Sequence, residues 1–129
     1  GDPGRVEKIG EFLKNFRIIS TNREYKIGIG TYKGKKITIC STGIGCPSTA
    51  IAVEELINAG AKYLIRVGTC GGSWRPDIKA GSLIIPTASI RDEGTTLEYI
   101  PKEFPAIADF DILSSLIKAT KKEKIPFFN

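Results

Sequence analysis

The sequence predicts an α/β fold in which helices cover a mixed sheet. An apolar, β-favouring run at 35–42, a helical pattern at 47–59 and a second apolar run at 62–68 follow one another as a β-α-β unit, whose strands should be parallel. Glycine-rich turns at 43–45 and 68–72 follow these strands. Ligands of such sheets bind beyond the carboxyl ends of the strands, so we expect a site where the two turns lie.

The chain begins with the pattern of a short amphipathic helix. Asp2 suits the N-cap and Pro3 the first helical position, so we expect the helix to begin at residue 3. Arg5 falls in the first turn, where the helix dipole disfavours a cation unless an anion binds. Glu7 and Glu11 ease this field, and solvent exposure of Arg5 is the simpler local interpretation. The apolar face of the helix should consist of Val6, Ile9, Leu13 and Phe16.

A hairpin is predicted after this helix. A short strand at 16–20 and a polar connection at 21–24 lead into it. Its strands are 25–32 and 35–42, separated by Lys33-Gly34, a turn suited to antiparallel pairing. The sheet should therefore contain antiparallel as well as parallel strands.

The later elements have local start and stop signals. Pro47 marks the first turn of the helix at 47–59, and Gly60 marks its end. A strong strand pattern covers 82–90. Residues 95–108 contain proline and aromatic breaks and predict a surface loop that covers the strand ends.

The last helix should begin after Asp109, which suits the N-cap. A further strand is predicted to start at 125–128. The residues of the helix that should point inward are Phe110, Leu113 and Ile117.

Arg66 stands where an apolar strand pattern gives way to the second glycine turn. A charge in a covered strand needs a partner, and no acidic residue lies within ten positions. The turn supplies the hydroxyl of Thr69 and flexible backbone N–H groups, which suit an anion. Arg66 and Thr69 are therefore candidate phosphate ligands. The alternative is a strand-end arginine paired with a distant carboxylate, and this stretch alone does not decide between them.

Composition excludes several classes of site. The chain of 129 residues suits one domain, and its net charge of +5 comes from scattered lysines, so neither a nucleic-acid partner nor a membrane span is expected. It contains no histidine and three cysteines without Cys-x-x-Cys spacing, which argues against zinc, a disulfide framework and Ser/His or Cys/His catalysis, and favours the cytoplasm. Because the sequence has no methionine, we expect a processed chain or a fragment.

Three segments occur together in order along the chain: Gly1-Asp2-Pro3-x-Arg5, Ser41-Thr42-Gly43-Ile44-Gly45-x-Pro47-Ser48 and Arg66-x-Gly68-Thr69-x-Gly71. Together they resemble the nucleoside phosphorylase family, which includes uridine phosphorylase and the hexameric purine nucleoside phosphorylases. The resemblance covers the whole chain. It is closest to the bacterial uridine phosphorylase type, through the first nine residues and the run Ile51–Leu56.

The resemblance implies the phosphorylase/hydrolase-like fold, incomplete at both ends. A strand should lead into Gly1, and another should be completed after Phe128. Residues 1–129 would form the N-terminal part of a single nucleoside phosphorylase domain. In this family the second half supplies the groups that hold the ribose and stabilise the leaving base, so we expect the isolated chain to be inactive.

The resemblance also implies roles for individual residues. Cys70 and Gly71 would lie beside the base and ribose. Glu24, Ile44 and Ser48 match a monovalent-cation site between subunits, of the kind that holds potassium. No residue of the chain is assigned as catalytic. The residues that match the family's phosphate ligands are Gly1, Arg5, Arg23, Arg66 and Thr69, with Arg23 entering the site from a neighbouring subunit.

The implied reaction is the phosphorolysis of a nucleoside, preferably uridine, to free base and ribose 1-phosphate, in nucleoside salvage. Inorganic phosphate is the co-substrate, and no cofactor is implied apart from the potassium ion. The expected assembly is a homo-oligomer, a hexamer built from dimers. One alternative is a purine nucleoside or methylthioadenosine phosphorylase, because Cys70 after Thr69 is closer to the purine enzymes. A second is a nucleoside hydrolase of the same fold, and a third, of a different class, is an inert binding or assembly module.

Overall fold

The computed structural model describes residues 1–72 and 75–129, and its helices and strands form the α/β class that the sequence predicts. The described residues fall into two units, Gly1–Gly68 and Thr69–Asn129. Each unit contains both helix and strand. None of the described helices is long and apolar enough to span a membrane.

The first unit opens with a short helix and a three-stranded antiparallel sheet. Helix α1 spans Gly4–Gly10, and the strands are β1 (Lys14–Asn22), β2 (Tyr25–Tyr32) and β3 (Lys35–Cys40), in the order β1-β2-β3. Strands β2 and β3 pair across the turn Lys33-Gly34, so the predicted hairpin is confirmed. Helix α1 packs against β2 and β3.

Helix α1 is shorter than the apolar spacing predicts. The helix starts at Gly4, one residue later than expected, so its N-cap is Pro3 and the predicted N-cap at Asp2 is wrong. The side chain of Asp2 still accepts a hydrogen bond from the Gly4 N–H at 2.8 Å. The helix ends at Gly10, so its predicted extension through Leu13 and Phe16 is wrong. Phe16 lies in β1 instead, because its ring packs against Gly10 and cannot do so from the same helix face.

The ring of Phe16 occupies space that two buried glycines leave open. A Cβ atom built at Gly10 would lie 2.3 Å from the ring, and one built at Gly28 would lie 2.4 Å from it. Gly10 ends α1 and Gly28 lies within β2. The missing side chains at these positions therefore allow an aromatic ring to fill the space between helix and sheet.

Gly28→Ala should lower the free energy of unfolding by about 1–3 kcal/mol, because the added methyl group would displace the Phe16 ring. Gly94→Ala is the matched control, since Gly94 has φ −80° and no atom within 4 Å of its added Cβ. The control should change stability by less than about 0.5 kcal/mol. Urea denaturation of the full-length protein measures both values, and equal losses would contradict the packing explanation.

Helix α2 follows the turn after β3 and spans Cys46–Asn58, in agreement with the helix predicted at 47–59. Pro47 lies in its first turn, as expected. Gly60 ends the helix with φ +94°, in the left-handed region that favours glycine, and its N–H donates to the Ile57 carbonyl at 2.8 Å. The predicted stop at Gly60 is confirmed.

The predicted strand at 62–68 is not formed among the described residues, so the β-α-β unit and its parallel pairing with 35–42 are wrong. The side chains of this stretch are open: Tyr63 is 79 % exposed and Val67 is 68 % exposed. A strand needs a neighbour with which its backbone can pair. In the described sheets β3 pairs with β2 alone, so the apolar composition predicted a burial that these residues do not provide.

The second unit contains two short strand pairs. Strands β4 (Leu83–Ile84) and β7 (Phe127–Phe128) are parallel, whereas β5 (Ala88–Ser89) and β6 (Ala106–Ile107) are antiparallel. The strand predicted at 82–90 is thus divided in two. Pro86 lies between the parts and has no N–H for a ladder. Parallel and antiparallel pairing both occur, spread over three small sheets in the described residues.

Helix α3 spans Phe110–Lys122 and begins at the predicted cap. The Asp109 side chain accepts a hydrogen bond from the Ile112 N–H at 2.9 Å. Leu113 and Ile117 are half-buried. Phe110, the first residue of the helix, is 78 % exposed, so its predicted inward position is wrong.

Arg91 organises the segment between β5 and β6. Its Nε donates to the Thr96 hydroxyl at 3.1 Å. The Glu93 side chain accepts hydrogen bonds from the Thr96 N–H and hydroxyl. The segment predicted as loop 95–108 is thus held in place and contains a short 3₁₀ helix, Thr95–Glu98. The other Arg91 hydrogen bonds, 2.5–2.9 Å long, go to the carbonyls of Thr96, Ile100, Pro101 and Phe104.

Candidate functional site

The N-terminal segment and the turn after β3 meet in the first unit. The Gly43 N–H donates to the Gly1 carbonyl at 3.2 Å. Nη2 of Arg5 lies 4.0 Å from the position that a Cβ on Gly1 would occupy. Two of the predicted phosphate ligands, Gly1 and Arg5, therefore lie together beside the first glycine turn.

Gly43 is required there by both conformation and packing. Its φ of +65° lies in the left-handed region, and an added Cβ would lie 2.6 Å from Cγ of Glu24. Glu24 belongs to the two-residue turn between β1 and β2, together with Arg23. The absent side chain of Gly43 thus lets the Glu24 side chain pack directly on the glycine turn.

Ser41 fixes the turn that carries Arg23 and Glu24. Its hydroxyl is buried, donates to the Glu24 carbonyl at 2.6 Å and accepts from the Lys26 N–H at 2.8 Å. Its own N–H donates to the Lys26 carbonyl at 3.0 Å. Sequence reasoning used Ser41 only as part of a motif and missed this role. The available signal was a serine directly after an apolar strand.

Arg5, Arg23 and Arg66 share one property. Within 1–72 and 75–129, none of them makes a salt bridge or a side-chain hydrogen bond. The ion pairs in these ranges are Glu7–Lys26 and Arg75–Asp77. The alternative of Arg66 paired with a distant carboxylate is therefore not found among the described residues. All three belong to the first unit, as does Arg17, which is also unpaired among the described residues.

The surroundings of Arg23 and Arg66 differ. Arg23 is exposed and has φ +53°, a conformation that tight turns impose on non-glycine residues at some cost. Arg66 is also exposed, and its Nη1 lies 3.7 Å from the position of a Cβ on Gly68. The Arg66 guanidinium is thus next to the start of the second glycine turn.

Thr69, Cys70 and Gly71 are exposed residues at the beginning of the second unit. Cys70 and Gly71 line a cavity of about 400 Å³ formed with described residues of the segment 75–84, whereas Thr69 is not among its lining residues. A cavity of this size is typical of small-molecule sites. The predicted base and ribose contacts therefore lie in a concave region of this unit.

The one arginine known to line that cavity among the described residues is already paired. Arg75 Nε donates to Asp77 Oδ1 at 2.9 Å, and Nη2 donates to Oδ2 at 2.7 Å. This hydrogen bonding lowers the pKa of Asp77. Arg75 is consequently a poorer anion ligand than Arg5, Arg23 or Arg66.

The residues of the predicted cation site lie around the first glycine turn, and their role in binding a cation stays a prediction. The Ser48 hydroxyl lies 3.0 Å from the Ile44 carbonyl, and the Tyr25 hydroxyl donates to the Ser48 carbonyl at 3.1 Å. Glu24 packs on Gly43, the residue before Ile44. The described residues contain no group of three Cys, Asp or Glu side chains that could hold a metal.

Cys40 differs from the other two cysteines. Cys46 and Cys70 are exposed, whereas Cys40 at the end of β3 is half-buried. Burial raises the pKa of the Cys40 thiol. Because the thiolate is the reactive form, a raised pKa makes Cys40 the less nucleophilic group at a given pH.

Iodoacetamide should modify Cys46 several-fold faster than Cys40 at mildly alkaline pH, because less of the Cys40 thiol is ionised and less of it is accessible. Mass spectrometry of peptides from the native protein gives both rates. Raising the pH should narrow the difference, as Cys40 ionises at the higher pH. Equal rates at all pH values would contradict the burial of Cys40.

Comparisons with known proteins identify the family of the chain. The family model described as Phosphorylase superfamily matches residues 1–129. A guanosine phosphorylase from Halorubrum lacusprofundi is 45 % identical over 121 residues, which cover 94 % of this chain and 50 % of that protein. A uridine phosphorylase from Treponema pallidum is 48 % identical over 125 residues, which cover 97 % of this chain and 48 % of that protein.

A solved structure has the same fold. The crystal structure of uridine phosphorylase from Vibrio fischeri is 42 % identical, with a TM-score of 0.94, and the match covers 98 % of this chain and 52 % of that one. The chain therefore spans about half the length of the relatives and of the solved structure that it matches.

Proposed function

Because this chain belongs to the phosphorylase superfamily, and within it to the nucleoside phosphorylases, we propose that it carries the phosphate-binding half of a nucleoside phosphorylase site. The proposed reaction converts a nucleoside and inorganic phosphate into free base and ribose 1-phosphate. Proteins named uridine phosphorylase at 40–48 % identity support uridine as the first choice of substrate.

The observation that carries the proposal is that the three arginines that match the family's phosphate ligands are all unpaired. Arg5, Arg23 and Arg66 have no acidic partner among the described residues. A charge-assisted hydrogen bond contributes about 1.5–3 kcal/mol, so three guanidinium groups together contribute about 4.5–9 kcal/mol, which is comparable to the cost of immobilising a phosphate ion. A nucleoside hydrolase of the same fold has no need for them.

The chemistry follows from placing phosphate correctly. A phosphate oxygen forms a bond to the anomeric carbon while the glycosidic C–N bond breaks and its electron pair leaves with the base. The ribosyl group becomes cation-like in between, and the phosphate anion beneath it lowers the energy of that state. The arginines orient the nucleophile, with Thr69 as a further ligand. Cys70 and Gly71 contact the base and ribose in this proposal.

Release of uracil from uridine by the full-length protein, followed with and without inorganic phosphate, tests the function. We expect release only with phosphate, with one ribose 1-phosphate formed for each uracil. Release without phosphate would indicate the hydrolase. Phosphate binding without turnover of any nucleoside would indicate the inert binding module.

A purine nucleoside is the second candidate substrate. The guanosine phosphorylase relative, at 45 % identity, supports it. Cys70 after Thr69 supports it as well. Parallel measurements of kcat/KM for uridine, guanosine, inosine and methylthioadenosine, at saturating phosphate, separate these choices.

The proposed site is shared between subunits of a homo-oligomer in the cytoplasm, a hexamer built from dimers, in which Arg23 enters the site of the neighbouring subunit. Potassium would be held by Glu24, Ile44 and Ser48. The exposure of Arg23 in its turn supports the proposal that it reaches the site of a neighbouring subunit.

If each site takes Arg66 from one subunit and Arg23 from the next, refolding a mixture of Arg23→Ala and Arg66→Ala proteins should restore activity. If the mixture stays as inactive as its parts, sharing is excluded.

A further inference from the structure

One ion pair joins helix α1, which carries Arg5, to strand β2, which follows the turn of Arg23. Nζ of Lys26 lies 3.1 Å from Oε1 of Glu7. The side chain of Lys26 is only 20 % exposed, whereas that of Glu7 is 58 % exposed. The lysine is thus the less solvated partner, and its charge depends more on the contact.

The two ends of this ion pair are held very differently. The backbone of Lys26 is bonded twice to Ser41, at 2.8 and 3.0 Å, and the Ser41 hydroxyl also donates to the Glu24 carbonyl at 2.6 Å. Lys26 is therefore rigidly connected to the turn that carries Arg23. Glu7 belongs to a helix of 7 residues, which is too short to be stable without tertiary contacts.

The known contacts of α1 with the rest of the unit are few in kind. Val6 is buried, and the Phe16 ring packs on Gly10 at the end of the helix. Apolar packing is non-directional, whereas an ion pair with a hydrogen bond fixes a direction. The Glu7–Lys26 pair also neutralises the acidic residue in the first turn, so that the charge of Arg5, two positions earlier, remains available to an anion.

We propose that Lys26 is a positioning residue for phosphate. By holding Glu7, it sets the place of α1 and of Arg5 relative to the turn of Arg23, without touching the phosphate itself. This inference rests on the proposed function and adds to it a residue outside the set of phosphate ligands. Its signature is a loss of phosphate affinity that is larger than any loss of nucleoside affinity.

Lys26→Met in the full-length protein tests this role, because methionine keeps the apolar stem and removes the charge. We expect the Kd for inorganic phosphate, measured by calorimetry, to rise about three- to tenfold, and the KM for phosphate to rise in parallel. The KM for the nucleoside should stay within about twofold. Lys26→Arg should restore most of the phosphate affinity.

Lys36→Met is the matched control, since Lys36 is an exposed lysine of β3 with no ion pair within 1–72 and 75–129. It should leave both affinities unchanged. Glu7→Gln should reproduce the effect of Lys26→Met, and the double variant should be no worse than the more affected single variant. If Lys26→Met does not fold, Glu7→Gln alone decides.

Two results would overturn the inference. One is a phosphate Kd of Lys26→Met equal to that of Lys36→Met. The other is an equal loss of phosphate and nucleoside affinity together with a lower Tm, which would show that the pair only stabilises the fold. If the unmodified protein binds no phosphate, the proposed function itself fails, and that result is distinct from both.

Discussion

Replacing Arg66 with alanine should lower kcat/KM for phosphate about ten- to hundredfold, the loss expected for one charge-assisted contact to a bound anion. The contact is proposed because Arg66 has no partner among the described residues and lies next to the second glycine turn. Arg66→Lys should retain part of the activity, since lysine keeps the charge but loses the planar fork that binds two oxygens at once. Initial rates at varied phosphate measure both variants.

Arg17→Ala provides the control for the removal of a positive charge. Arg17 is an exposed arginine of β1 that makes no ion pair or side-chain hydrogen bond in the described part of the chain. Its replacement should change kcat/KM for phosphate by less than about twofold. Equal losses in Arg17→Ala and Arg66→Ala would show that only the net charge matters, and the assigned contact would be wrong.

Gly43→Ala should destabilise the protein by about 2–4 kcal/mol and abolish most phosphate binding. The added methyl group would collide with the Glu24 side chain, and the φ of +65° would strain the new residue. The turn would have to move, and with it the hydrogen bond from Gly43 to Gly1. Urea denaturation and calorimetric titration with phosphate measure the two effects.

The variant Gly34→Ala separates the effect of backbone strain at positive φ from the effect of a collision with a neighbouring side chain. Gly34 has a similar φ, +77°, but no atom lies within 4 Å of its added Cβ. The change should cost about 1 kcal/mol of stability and leave phosphate affinity unaltered. If both variants lose the same stability and neither loses phosphate affinity, Gly43 is only a conformational requirement of the turn.

The sequence predicted those parts of the fold whose signals are local. The hairpin turn Lys33-Gly34, the stop at Gly60 and the cap at Asp109 each depend on residues a few positions apart, and all three are found. The end of α1 was missed because it depends on the Phe16 ring, a contact that spacing along one helix does not reveal. The prediction of a strand at 62–68 was wrong because a strand forms only where a second strand, distant in the sequence, pairs with its backbone.

Only part of the candidate site could be predicted from the sequence, as was the case for the fold. The arginines were predicted by residue type and by the resemblance, and they remain predictions as phosphate ligands. The contacts that hold the site together were not predicted. Ser41 and Lys26 bond to groups up to 19 positions away, and no local pattern marks such pairs. Residue type alone also cannot distinguish Arg75, which is paired with Asp77, from Arg66, which has no partner among the described residues.

Arg91 holds the segment between β5 and β6 mainly by hydrogen bonds to main-chain oxygens, which every residue type supplies. The path of that loop is therefore largely independent of the side chains it displays. Leu97 and Tyr99, both exposed, can be exchanged without rebuilding the backbone beneath them. An arginine used in this way makes the loop a site where new surface properties can evolve while the underlying structure stays the same.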